Sequence, residues 1–312
     1  MRDITRQRIL DVAAQLNYRP LAAARNMRRR SNGTRERTYV VGFVTFRPSM
    51  LQEDPYTLAA AGAVESALRQ ASLEMRLIRA NPEGRVPGML LEGECDGVIV
   101  RGRAPLLSHI AQHVPTVAIE TWIDPPPCYC LIPDYETQIG AMTRRLLDSG
   151  RREIVLAMNR PDHPLKNTYM ERVAAGYRQA YLACGLPLPR TPYVGHADRP
   201  GSGYDLGRRL FNHPPEVVVG PDGGMLGLYR AALERGLRVG RDIEFVGIDG
   251  LPESEFLFPP LTVVHVDLAL LARRAVAVLG EMMASHIQRR GNELLPMTIV
   301  ERASTGGRRN AT

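Results

Sequence analysis

After residue 38 the chain alternates short β-prone runs with helical stretches, and this alternation restricts the fold more than any other feature. The first run, Tyr39–Thr45, is continuous, as expected of a strand buried on both faces. Further strands are predicted at 75–78, 97–100, 116–119, 153–157, 217–219 and 243–247, and helices at 57–71, 105–113, 135–149, 172–184, 205–211 and 225–235. Repeated βα units predict parallel sheets covered by helices. Because the units are too many for one small sheet, we expect an α/β fold of two similar lobes.

The positive charge of the chain is confined to one end. Residues 1–40 contain ten arginines and three acidic residues, which account for the whole net charge of +7. Such a segment predicts a polyanionic partner, or alternatively a solvated basic tail. An amphipathic helix is predicted over 5–16, and Pro20 suits the first turn of a second short helix over 21–28. The polar stretch 29–35 then predicts a linker and a domain boundary.

Several classes of protein are disfavoured by the sequence. No apolar stretch is long enough to span a bilayer, and the arginine-rich N-terminus does not have the pattern of a signal peptide, so we expect a cytoplasmic protein with no membrane partner. Cys95, Cys128, Cys130 and Cys184 lack zinc-site spacing, so we expect reduced thiols and no metal. There is no phosphate loop, zinc-protease helix or nucleophile elbow, so we expect neither catalysis nor a cofactor.

Motifs along essentially the whole chain resemble those of the lactose/galactose-repressor family of transcription regulators. Their order and spacing carry the resemblance, and the most specific run is the one from Gly236 to Ala275. The motifs are Thr5–Leu10, Asn17–Pro20, Ala22–Arg25, Asp96–Ile99, Gly176–Arg178, Gly236–Val239, Ile243–Asp249, Pro259–Val264, Arg273–Ala275 and Val300–Thr305, the last resembling the family's closing strand.

The resemblance implies a fold and a domain division. The fold is two Rossmann-like lobes with parallel sheets, of the periplasmic-binding-protein-like type I, preceded by a short helical DNA-binding remnant and a hinge helix. The implied division is 1–36 for the remnant and hinge helix, 37–134 plus 264–290 for the N-terminal lobe, 135–263 plus 291–305 for the C-terminal lobe, and 306–312 for a flexible tail.

The implied function is that of a homodimeric, ligand-responsive regulator, a repressor, whose effector is a sugar, sugar acid or sugar phosphate bound between the lobes. Lobe closure would change operator affinity. The family's helix-turn-helix reads the major groove, and the match here starts at the family's third helix, so roughly twenty residues with the first two helices are missing. We therefore expect operator binding to be weakened or lost. A periplasmic-type sugar-binding protein and an effector-binding remnant without DNA function remain alternatives. Helices 57–71 and 273–285 are candidates for the dimer face, although their apolar stripes could equally be core.

In the family, the hinge helix inserts an apolar side chain into the minor groove, and the matching residue is Met27. Arginines around it suit the negative potential of a narrow groove. The predicted DNA-binding residues are Arg19, Arg25, Met27, Arg28, Arg29 and Arg30. The alternative is that Met27 packs on the lobe and the arginines form a solvated linker.

Polar residues follow the ends of predicted strands, where ligands bind in α/β sheets. They are Arg47, Arg101 and Glu120 in the first lobe and Asn159, Asp222 and Asp249 in the second. Asp222 and Asp249 match cleft aspartates of the family, although Pro221 replaces the asparagine of its Asn-Asp motif. Carboxylates can accept hydrogen bonds from sugar hydroxyls, so ligand contact is one interpretation of Asp222 and Asp249. The alternative is loop capping, which is the usual structural role of aspartate.

The other predicted effector residues are arginines. Arg172 lies one residue before Val173, which occupies the position of the family's sugar-binding arginine. Arg199 and His196 lie in a loop where the family often has an aromatic ring. These arginines are compatible with an anionic sugar derivative. Trp122 follows a strand and could stack on a ligand or pack on the rim.

Overall fold

Runs rich in Val, Ile and Phe and the helices between them form two sheets, each with its own core. The computed structural model describes Val12 and residues 37–46, 54–81, 84–102, 105–159 and 168–306. The strands are β1 Val40–Thr45, β2 Glu74–Arg79, β3 Gly97–Arg101, β4 Thr116–Ile119, β5 Tyr129–Pro133, β6 Ile154–Leu156, β7 Val217–Pro221, β8 Glu244–Asp249, β9 Thr262–Val266, β10 Gly291–Leu295 and β11 Met297–Val300. The α-helices are α1 Pro55–Gln70, α2 Gly88–Leu91, α3 Leu106–His113, α4 Tyr135–Asp148, α5 Thr168–Ala183, α6 Pro200–Leu210, α7 Asp222–Glu234 and α8 Leu268–Ser285, and a 3₁₀ helix covers Pro252–Phe256.

The first lobe is built on a six-stranded sheet in the order β10-β5-β4-β3-β1-β2. All of its strand pairs are parallel. Helices α1 and α8 cover one face, where Phe43 and Ile99 meet Leu68 and Leu279. Helices α2 and α3 cover the other face. Because both faces are covered, the central strands are continuously apolar, as the sequence predicted.

The second lobe is built on a five-stranded sheet in the order β11-β9-β8-β7-β6. Helices α4 and α5 cover one face of this sheet, and α6 and α7 cover the other. Glycines allow the paired helices to approach closely: a Cβ on Gly176 of α5 would lie 2.1 Å from the carbonyl oxygen of Glu136 in α4. A Cβ on Gly227 of α7 would likewise lie 1.9 Å from the carbonyl oxygen of Pro200 in α6.

The chain passes between the lobes at Asp134, Asp267 and Pro296. Asp134 caps α4 by accepting a hydrogen bond from the Thr137 amide at 3.2 Å. Asp267 caps α8 in the same way, accepting from the Leu270 amide at 2.8 Å. Each cap satisfies an amide that has no partner within its helix. The two crossing helices therefore begin at the lobe boundary.

The predicted α/β fold of two lobes is confirmed, with differences in the second sheet and at its edges. Strand β11 runs antiparallel to β9, so the second sheet is mixed and not wholly parallel. The closing strand predicted over Val300–Thr305 lies earlier, at Met297–Val300. Strands β5, β9 and β10 were not predicted; β10, with the sequence GNELL, has no β-prone run to reveal it.

Two predicted domain boundaries are wrong by a few residues. Strand β9 stays in the second sheet through Val266, so the first lobe resumes after 266 and not at 264. Strand β10 pairs with β5 in the first sheet, so Gly291–Leu295 belongs to the first lobe and not to the second. The register of strand pairing decides both points. The predicted remnant, apart from Val12, and the tail beyond Gly306 lie outside the described residues.

The apolar stripes of the two helices suggested for a dimer face are core. In α1, Val64 and Leu68 are buried, and in α8 Leu271 and Leu279 are buried. These side chains share one cluster with the first sheet. Dimerisation therefore stays a prediction. Among the described residues, no helix is both long and apolar enough to cross a bilayer.

Candidate functional site

An ion pair at the carboxyl ends of two adjacent strands forms the centre of the site. Arg101 ends β3, and Glu120 directly follows β4, whose Ile119 is the register partner of Arg101. Nε of Arg101 lies 2.7 Å from Oε2 of Glu120, and the two side chains are 11% and 10% exposed. Nη1 of Arg101 donates to the Thr57 hydroxyl at 2.5 Å and lies 3.5 Å from Oδ2 of Asp54. Arg101 therefore holds two carboxylates at once.

Asp54 reaches Arg101 because it is the N-cap of α1. Its Oδ1 accepts hydrogen bonds from the amides of Tyr56 and Thr57 at 3.1 and 3.2 Å. Its Oδ2 accepts from the Thr57 hydroxyl at 2.5 Å. Pro55 occupies the first helical position, which favours a helix start there. The Arg101 guanidinium lies over the Tyr56 ring, 5.2 Å from its centroid.

Glu120 is held in an unusual environment. Its φ of 56° lies in the left-handed region that non-glycine residues seldom adopt. Burial raises the pKa of Glu120, whereas the neighbouring Arg101 lowers it. The Tyr56 hydroxyl lies near Glu120, yet neither it nor Oε1 of Glu120 makes a hydrogen bond of acceptable geometry among the described residues. Left-handed strain and unpaired polar atoms of this kind are concentrated at functional sites.

Asp249 and Asp222 lie on the second lobe's side of the site. Asp249 ends β8 with a φ of 107° and remains partly exposed. Burial raises its pKa well above the usual value, and the charges of Asp222, Glu120 and Asp54 raise it further, so acidic groups of both lobes act on one another. Asp222 is buried at the start of α7, and burial raises its pKa to about 7.

The side chain of Asp222 serves its own lobe. Oδ2 accepts a hydrogen bond from the Leu251 amide at 2.7 Å and a short one from the Ser254 hydroxyl. Oδ1 packs so closely on Gly247 that a Cβ there would lie 2.1 Å away. This geometry favours the loop-capping interpretation of Asp222 over ligand contact.

Aromatic and cationic side chains from both lobes meet beside the carboxylates. The guanidinium of Arg172, on α5, lies over the ring of Trp122, which follows β4, at 4.8 Å from the centroid. Arg172 also lies 3.4 Å from Oε2 of Glu136. Trp122 packs against the core of the second lobe. Tyr135 and Tyr169 make an edge-to-face contact at 4.9 Å. Trp122 and Arg172 thus join the lobes.

The remaining predicted residues have other surroundings or lie outside the described residues. Arg199 is the N-cap residue of α6, is half exposed and pairs with Asp198 at 3.6 Å. Asp198 in turn lies 3.1 Å from His196. Asn159 follows β6 and is partly exposed. Arg47 lies outside the described residues, as do all the predicted DNA-binding residues, Arg19, Arg25, Met27, Arg28, Arg29 and Arg30.

Sequence reasoning missed four groups of the site: Asp54, Tyr56, Tyr135 and Tyr169. Asp54-Pro55 carried a signal, because an aspartate before a proline marks a helix start and this one follows β1. The tyrosines carried none, because each lies on the buried side of a helix where an aromatic residue is ordinary core.

Comparison with known proteins agrees with this architecture. Residues 143–305 match the family model described as periplasmic binding protein-like domain. The HTH-type transcriptional repressor MelR of Bacillus subtilis is 26% identical over 97% of this chain and 88% of its own length. The ribose operon repressor of Escherichia coli is 26% identical over 93% of this chain and 87% of its own. A LacI family regulator of Enterococcus faecium, solved with bound ribose, superposes with a TM-score of 0.75 at 17% identity over 86% of this chain and 99% of its own.

The chain therefore belongs to the proteins with a periplasmic binding protein-like domain. Within that class, the relatives that match almost its whole length are named repressors. The chain is a LacI-family transcription regulator, as the sequence motifs implied.

Proposed function

We propose that this protein is a cytoplasmic, homodimeric repressor that binds a sugar or sugar derivative between its lobes and couples lobe closure to DNA affinity. The observation that carries the proposal is the set of buried polar atoms at the lobe boundary without a hydrogen-bond partner among the described residues. They include Oε1 of Glu120, the Tyr169 hydroxyl and Nε of Arg172. Buried polar atoms are otherwise satisfied in native proteins, so a polar ligand is the expected partner. A ribose operon repressor among the relatives supports a sugar.

The ligand would bridge groups that belong to different lobes. Arg101 and Glu120 extend from the first sheet, whereas Asp249 and Arg172 extend from the second lobe. A ligand that bonds to both sides binds the closed arrangement better than an open one, and this difference in affinity is what shifts the equilibrium. The contact of Trp122 with Arg172 would form only in the closed arrangement.

Lobe closure would reach DNA through the arginine-rich segment before β1. Met27 and the arginines at 19, 25 and 28–30 are the proposed DNA contacts. Each phosphate contact releases counterions, so binding should weaken as salt increases. Measuring DNA affinity at several salt concentrations tests this step. Replacing Arg28, Arg29 and Arg30 by glutamine should reduce the slope of log affinity against log salt concentration by about one for each lost phosphate contact. An unchanged slope would favour the alternative, an effector-binding remnant without DNA function.

Trp122 provides the test of effector binding, because it is the single tryptophan of the chain. Sugars and sugar derivatives should change its emission as they bind beside it, and the Asp249→Asn variant should weaken binding at least tenfold. Asp148→Asn is the matched control, because Asp148 is exposed on α4. Trp122→Phe should abolish the signal while the heat of binding persists in calorimetry. Equal affinity of the Asp249 and Asp148 variants would place binding elsewhere and overturn the proposal.

A further inference from the structure

In the described part of the cleft, carboxyl groups are more numerous than cationic groups. Among the described residues, Asp54, Glu120 and Asp249 influence one another electrostatically, and Arg101 is the cation that contacts the first two. The other cleft arginine, Arg172, lies beside the carboxylate of Glu136, so these two groups offset each other. Among the described residues, carboxyl groups therefore outnumber guanidinium groups next to Arg101.

Glu120 provides a second observation, because one of its carboxylate oxygens lacks a well-formed hydrogen bond from any described residue, including the nearby Tyr56. Its side chain is nine-tenths buried, and Oε2 is bound by Arg101 while Oε1 has no hydrogen bond from a described residue. An ionised carboxylate only accepts hydrogen bonds. The unfilled position is therefore one for a donor, and a donor with positive charge would make the strongest bond there.

Resting on the proposed effector site, we propose that the natural ligand is a polyhydroxylated amine of the amino-sugar class, with its ammonium group between Glu120 and Asp249. An ammonium group supplies three donors and one positive charge, so it satisfies Oε1 of Glu120 and offsets the repulsion between the two carboxylates. Its hydroxyls would meet the Tyr169 hydroxyl and Nε of Arg172. A carboxylate or phosphate on the ligand would add like charge to the cluster, which opposes the sugar acids and sugar phosphates allowed by the sequence.

Calorimetry with matched ligands tests the proposal in the whole chain. Glucose, galactose and mannose are each compared with the corresponding 2-amino-2-deoxy sugar and uronic acid. We expect at least one amine to bind about tenfold or more tightly than its neutral partner, and the uronic acids to bind most weakly. Glu120→Gln should remove the preference, so that each amine binds no more tightly than its neutral partner. Asp249→Asn, which leaves Glu120 and its ion pair in place, should also reduce the ratio of amine to neutral-sugar affinity. Asp148→Asn should leave it unchanged.

The outcomes separate this inference from the proposed function. If a neutral sugar or a uronic acid binds as tightly as its amine and alters Trp122 emission, the proposed effector site is supported and the amino-sugar proposal is refuted. If no amine in the set binds, the amino-sugar proposal is likewise refuted. If no compound of any kind binds, both proposals fail.

Discussion

Replacing Arg101 by methionine should destabilise the first lobe strongly, because it leaves Glu120 and Asp54 without their shared cation. Arg101 is 11% exposed and contacts both carboxylates, so the pair with Glu120 is a buried one. Removing one partner of a buried pair typically costs about 3–5 kcal/mol. Methionine keeps most of the side-chain volume, so the loss reports charge and hydrogen bonding more than packing.

The stability lost in the Arg101→Met variant should depend on pH, and the direction of this dependence follows from the pKa of Glu120. Burial raises the pKa of Glu120 while Arg101 lowers it, so the pKa rises further in the variant. A carboxyl whose folded pKa is raised favours folding at low pH, and this contribution is lost as pH rises through the folded pKa. The variant should therefore lose more stability at pH 8 than at pH 5, because a larger fraction of Glu120 is protonated at the lower pH and a neutral carboxyl group needs no cation.

Urea unfolding followed by circular dichroism at pH 5 and pH 8 measures both effects. The double variant Arg101→Met, Glu120→Gln should recover part of the loss at pH 8, because the unpaired charge is gone. The control is Arg69→Met, since Arg69 is 71% exposed in its pair with Glu65 and such pairs contribute under about 1 kcal/mol. A loss below about 1 kcal/mol at pH 8, or an equal loss at both pH values, would refute this account of the ion pair.

Two further changes probe the second lobe. Because burial raises the pKa of Asp222 from 3.8 to about 7, the contribution of this group to stability is present below pH 3.8 and is lost as pH rises to about 7. In urea unfolding, Asp222→Asn should reduce the decline of the free energy of unfolding over this pH range by at most about 4 kcal/mol. An unchanged dependence of stability on pH would contradict the burial argument. Gly176→Ala should lower stability by about 1–3 kcal/mol in thermal unfolding, because its Cβ would meet the carbonyl of Glu136. Gly62→Ala on α1, where a Cβ meets nothing within 4 Å, should instead stabilise, and equal effects of the two would refute the packing argument.

The sequence by itself determined the two-lobed α/β fold and the strand ends where Arg101, Glu120 and Asp249 lie. Burial on both faces of a parallel sheet demands continuous apolar runs, and these are visible locally. The residue that follows such a run necessarily lies at the carboxyl edge, so a position in the cleft can be inferred without coordinates.

Only the tertiary structure decided which of these groups contact one another. Asp54 contacts Arg101 although 46 residues separate them in sequence. Asp222 accepts a hydrogen bond from the Leu251 amide, and Trp122 of one lobe contacts Arg172 of the other. Strand β10 likewise forms through its parallel pairing with β5. A local pattern encodes burial and periodicity, whereas hydrogen bonds and ion pairs depend on distances of a few ångströms between segments far apart in sequence. Those distances are set by the packing of helices on sheets.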